Sequence, residues 1–144
     1  MTDETVKKPV SIYDALGTDV VAEEDGRWFD NFAGVEGMAF KLRRMTSKKS
    51  MQVRRRLDID FRKHRKNGGY PDAIADEMLA VQLGEGVIMD WKGVFDKDGQ
   101  PIAYSPAAAA ELIRNIPALK LTVQMTAMDI DQWRNDASED IAKN

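Results

Sequence analysis

The sequence predicts an α+β domain: a small N-terminal antiparallel sheet of about three short strands, packed on a mainly helical C-terminal part with a short hairpin near 94–102. Three observations carry this expectation. Residues 37–43 alternate, with Met38, Phe40 and Leu42 on one side and Ala39, Lys41 and Arg43 on the other, the period of a half-buried strand. Val53, Leu57 and Phe61 recur at helical spacing, with His64 next in line, and form a narrow apolar stripe on an otherwise charged helix. An Asp-Gly turn at Asp98-Gly99 is followed by Ser105-Pro106, a cap and first-turn proline that together start a helix.

Residues 1–11 are polar and aperiodic and are expected to be a flexible leader to a single domain over 12–138, with 139–144 a frayed tail. The stretch 18–23, the turn Glu24-Asp25-Gly26 and the stretch 27–32 predict a hairpin, since glycine supplies the positive φ such a turn needs. The strand over 37–43 is the third. Three short strands with one apolar face need a helix to cover them.

That helix starts near Thr46 or Ser47, either able to cap it, and ends at Asn67-Gly68-Gly69. Pro71 opens a second helix reaching about Leu83, with Asp72 near its positive end and Ile74, Met78, Leu79, Val81 and Leu83 on its buried side. Gly84-Glu85-Gly86 leaves two courses open, extended chain or a kinked continuation of helix, and the kink is preferred. Residues 96–99 turn between Val94-Phe95 and Pro101-Ile102. A helix then covers 107–115, and Pro117 breaks it or starts the last one, which runs from about 118 to 138 through Leu121, Met125, Met128 and Trp133.

The 144 residues, 43% hydrophobic and 31% charged, suit one soluble domain that can bury a core unaided. Cysteine is missing, which removes disulfides, thiolate metal sites and cysteine nucleophiles. No apolar run approaches the ~20 residues of a membrane span, and the first residues lack a signal-peptide apolar region, so a cytoplasmic protein with no membrane partner is expected. The net charge of −3 hides a segregation. Residues 41–66 hold twelve Lys/Arg against Asp58 and Asp60, a net +10, while the remainder holds nine basic and 22 acidic residues, a net −13. The basic segment is therefore expected to meet something anionic, or the acidic remainder of another copy.

Catalytic and metal motifs find little support. His64, the single histidine, lies within the cationic helix, and no Gly-x-Ser-x-Gly elbow accompanies it. Asp96-x-Asp98-Gly99 approaches a calcium loop, but Val94 stands where the loop's first Asp belongs and Ser105 where its Glu belongs. A hairpin turn explains the same residues. Gly84-Glu85-Gly86 lacks a third glycine, there is no phosphate-binding P-loop, and Glu23-Glu24 and Asp129/Asp131 read as solvated surface. No catalytic residue, cofactor or metal ligand is assigned.

Partner contact is the better-supported use of side chains. Arg54, Arg55, Arg56, Arg62 and Lys63 are the candidates on the basic helix, for nucleic-acid phosphates or an acidic protein face. Phe61 is the helix's one aromatic, so stacking platforms for single strands are missing, and the pI of about 5.2 is opposite to the usual nucleic-acid footprint. Trp133, on an Asp-rich end helix, is a candidate for exposure and partner contact, whereas Trp91 anchors the hairpin–helix junction. Of eight methionines, core filling accounts for most, although the residue also suits adaptable surfaces.

Asp90-Trp91-Lys92-Gly93-Val94, then Asp96-x-Asp98-Gly99-x-Pro101, Tyr104-Ser105 and a helix ending at Pro117-x-Leu119, resembles the tail assembly chaperones of long-tailed, siphovirus-like bacteriophages. Gly26, Trp28 and the strand Phe40-Lys41-Leu42-Arg43 extend the resemblance toward the N-terminus. The resemblance implies a non-catalytic α+β or mainly helical protein of the host cytoplasm that is not retained in the mature virion. It implies partners too: a tape measure protein kept from aggregating, and tail tube subunits recruited to it. A C-terminally extended frameshift form is often made beside such proteins. Self-association through the segregated charges is compatible with this reading. The alternatives are a nucleic-acid-binding protein using the basic helix over 48–66, or a structural tail completion or head–tail joining protein.

Overall fold

The computed structural model describes residues 8–135, so the first seven residues of the expected leader and the expected frayed tail over 139–144 lie outside the described residues. Ser11 begins the regular structure: its side chain accepts from the Tyr13 N–H and caps a short helix α1, Ile12–Leu16. Asp19 caps the next, α2, Val20–Asp25, by accepting from the Ala22 N–H at 3.1 Å. This corrects the expected hairpin. Residues 18–23 are a cap and a helix, because Asp19 satisfies an orphan donor of the first turn. Gly26, at φ 89°, ends the helix by donating to the Ala22 carbonyl, so Asp25-Gly26 is a helix stop and not a hairpin turn.

The sheet has three antiparallel strands in the order β1-β2-β3, and the α+β class holds. Strand β1, Arg27–Phe29, pairs with β2, Ala39–Leu42, placing Trp28 opposite Lys41 and Phe29 opposite Phe40. The other edge of β2 takes β3, Ile88–Lys92, with Phe40 opposite Trp91 and a bulge between Lys41 and Leu42. The third strand thus comes from far downstream. Phe40 and Leu42 are buried as the alternation requires, but Ala39 on the other face is buried too, while Lys41 is half-buried.

Ser47 is the cap of helix α3, Lys48–Asp60, and accepts from the Ser50 N–H; Glu24 adds a carboxylate that accepts from the Lys48 N–H at 2.9 Å. An anion there complements the positive end of the helix. Val53 and Leu57 bury with Met78 from α4, Asp72–Val81, while Phe61, Tyr70, Ile74 and Val81 pack around them. Past α4 the chain widens into a π-turn over Gln82–Val87 and then extends as β3, so both courses open at the glycines are taken in succession. Gly84 and Gly86 are required by packing. A Cβ on Gly84 would meet the Ala110 backbone nitrogen at 2.6 Å, and one on Gly86 would meet the Ser50 Cα at 2.8 Å.

Helix α5, Pro106–Asn115, starts as expected, with Ser105 accepting from the Ala108 N–H at 3.0 Å. Pro117 starts α6, Pro117–Met128, which ends earlier than expected; Ile130–Trp133 is a separate 3-10 turn capped by Asp129. The main core lies where the sheet, the π-turn, α5 and α6 converge, with Leu42, Leu83, Val87, Ile88, Ile113, Val123 and Ala127 at its centre.

Candidate partner-binding surfaces

The segment with the family-like residues is a scaffold of aromatic contacts. Trp91 donates its Nε1–H to the Ile102 carbonyl at 2.7 Å and packs edge-on against Tyr104, centroids 5.2 Å apart. The Tyr104 hydroxyl donates to the Ile88 carbonyl at 2.7 Å, and burial pushes this phenol above its ordinary value near 10. Asp96 folds the hairpin tip by accepting from the Asp98 and Gln100 N–H groups, both at 2.9 Å, and Phe95 bridges to Pro101. Backbone geometry occupies the carboxylate that a calcium loop would have used. Among the described residues, no group of three His, Cys, Asp or Glu side chains is placed to hold a metal.

The basic candidates divide into two sets. Arg54 pairs along the helix with Asp58 at 3.3 Å, and Arg56 donates to Glu85 at 2.8 Å, a hydrogen bond that raises the guanidinium pKa further. Arg55, Arg62 and Lys63 are exposed and have no polar side-chain partner among the described residues. His64 is half-buried beside Phe61, ring centroids 6.0 Å apart.

Trp133 is corrected. It is fully buried, not exposed: its Nε1–H donates to the Thr126 carbonyl at 3.2 Å, Phe29 meets it edge-on at 5.7 Å, and the Arg27 guanidinium lies over its ring. The polar 3-10 turn folds the indole back under α6, so a position that looks exposed in an Asp-rich stretch becomes the plug of that end of the core. The Asn-Asp-Gln surroundings gave no sign of this.

The surface that sequence reasoning missed is an apolar groove of about 410 Å³. Val35 and Met38 come from the β1–β2 connection, Phe40 from β2, Val94 and Phe95 from the hairpin, and Leu112, Ile116 and Leu119 from the α5–α6 corner. Among the described residues, no charged side chain lines it. Ala33 sits on its rim at φ 57°, a left-handed conformation that L residues adopt at a cost of about 1 kcal/mol. Phe95 is 60% exposed and Val35 49%, so the groove lacks a cover from its own chain among the described residues.

Thr122 continues the groove into a second depression beside Met125 and Met128. Leu121, Met125 and Met128, which the sequence places along the last helix, are each more than half exposed; Val123 and Ala127 face the core. The spacing of 121, 125 and 128 is that of one helix face, and it is an apolar face turned outward. The signal was present in the sequence, but periodicity alone does not say which of two apolar stripes on a short helix is buried.

No curated protein and no solved structure matches the chain significantly. A family model does: residues 43–144, from the end of β2 through α6 and beyond, match the model described as YdaY prophage protein. That match covers well over half of the 144 residues, and the chain belongs to the YdaY prophage protein family.

Proposed function

We propose that this phage-derived protein is a tail assembly chaperone, acting in the host cytoplasm by binding and without catalysis. Its client is an apolar stretch of the tape measure protein, held until tail tube subunits are recruited, after which the chaperone leaves the particle. The observation that carries this reading is the uncharged groove with Val35 and Phe95 standing open at its mouth, continuous with the exposed Leu121, Met125 and Met128 face. Such a face costs solubility unless a partner covers it, and its methionines let it fit apolar segments of varied shape. Membership of a prophage family supplies the phage setting, and the Trp-Lys-Gly to Tyr-Ser-Pro resemblance supplies the tail.

Co-expression with the tape measure protein encoded by the same prophage tests the reading. The expected result is a soluble complex in which the tape measure segment alone is insoluble; a client that stays insoluble argues against chaperoning. Mass spectrometry of purified virions separates the rival structural role. A chaperone is missing from the particle, whereas a tail completion or head–tail joining protein is found at fixed copy number.

A further inference from the structure

On α3 the carboxylates are engaged within the fold, and what is left on its outer side is positive. Asp58 accepts from Arg54 and from the Tyr70 hydroxyl, the latter at 3.0 Å, and Asp60 lies 3.9 Å from Arg56. Glu85, reaching over from the π-turn, takes Arg56 at 2.8 Å. Lys48, Lys49, Arg55, Arg62, Lys63 and Lys66 differ. All six are exposed, and among the described residues none of their side chains has a hydrogen-bond or ion-pair partner. Gln52 and Ile59 are also exposed, on the helix face that carries Lys48 and Arg55, and this basic ridge is followed by Arg62, Lys63 and Lys66 in and just past the 3-10 turn.

We propose that this ridge binds the phosphate backbone of a nucleic acid without reading its bases. At about 1.5 Å per residue α3 alone is ~20 Å long, over which one strand of a duplex presents about six phosphates; Lys48, Lys49 and Arg55 lie on it, and Arg62, Lys63 and Lys66 follow its end. Base readout has little to work with, because Gln52 is the ridge's one amide and its apolar residues are aliphatic.

A second copy of the chain is a poorer fit to the same cations. Its carboxylates are dispersed, and many are already used: Asp19 by Arg27, Glu23 by Arg44, Glu77 by Arg114 and Asp131 by Arg134. A concentrated run of uncompensated charge is best met by a continuous anion, which a phosphodiester backbone supplies. The ridge lies on α3, which lines neither groove nor depression. This inference therefore stands independently of the chaperone reading.

Fluorescence anisotropy of the full chain with labelled single-stranded DNA, single-stranded RNA and duplex DNA, from 25 to 200 mM salt, tests it. Binding to at least one is expected, with a log–log salt slope of about −4 for a single strand or about −5 for the duplex, which identifies backbone contacts. Arg55→Glu/Arg62→Glu is expected to weaken binding about tenfold or more and to flatten the slope by about two. Lys8→Glu/Lys97→Glu, the same net charge change at exposed positions off the ridge, is expected to leave both unchanged. Circular dichroism melts confirm that each variant folds. No binding at the lowest salt, equal loss in both double variants, or binding of polyglutamate in place of all three nucleic acids overturns the proposal.

Discussion

At the scale of single residues, two aromatics with polar handles, Trp133 fully buried and Tyr104 half-buried, tie distant segments together. Trp133 fills the end of the core between β1 and α6, with no part of it reaching solvent. Trp133→Ala removes that volume and is expected to cost about 3–5 kcal/mol in urea denaturation, since Trp-sized cavities collapse poorly. Tyr104 joins the segment before α5 to the start of β3 through its bond to the Ile88 carbonyl. Tyr104→Phe should cost about 1 kcal/mol at neutral pH, the net worth of one hydrogen bond. The pH dependence has a definite sign. Burial raises the folded-state value above the ordinary 10, so the folded protein holds this proton more tightly than the unfolded chain. The stability this contributes is present below pH 10 and is lost as pH rises above it. The deficit of the Phe variant should therefore narrow in alkaline unfolding measurements; a constant gap across that range would contradict the assignment.

At the scale of elements, the glycine pair of the π-turn decides how closely three helices approach. Gly84→Ala drives a methyl into the α5 backbone at Ala110 and is expected to lose about 1–3 kcal/mol as an overpacked site. Gly69→Ala, with no atom within 4 Å of the added Cβ, should stay within about 1 kcal/mol of wild type, and thermal melts of the two variants compare them directly. The starts of helices α3 and α5 and the stripe of α3 were legible because their signals are local, Ser47 as cap, Val53 and Leu57 as stripe, Ser105-Pro106 as start, whereas α3 ends at Asp60 and not at the expected Asn67-Gly68-Gly69. Residues 18–26 were misread because an Asp cap followed by two valines and an Asp-Gly has the composition of a hairpin as well as of a capped helix. What decided was tertiary. Glu23 must reach Arg44 and Glu24 the start of α3, and a helix places both carboxylates there. The third strand could not be found locally, because the edge of β2 is filled by residues beyond α4.

At the scale of the whole molecule, the chain presents two unlike faces: an uncharged groove with an apolar helix face beside it, and a cationic ridge on α3. The ridge was visible as a run of charge, although which of its arginines are free was not, because Glu85 and the intrahelical partners are assigned only by folding. The groove was invisible, because its walls come from the β1–β2 connection, the hairpin and the α5–α6 corner, segments with no common period. Phe95→Asp/Met125→Asp places charge on that face at positions more than half exposed, so stability should change by no more than about 1 kcal/mol while the co-expressed client loses solubility. Hydrogen exchange of the chaperone alone and in complex with a soluble tape measure fragment tests the central claim most directly. The account predicts slowed exchange at residues 33–40, 93–96 and 112–128, around the groove and α6, with α3 unaffected. Protection confined to α3, or none in either region, would contradict it.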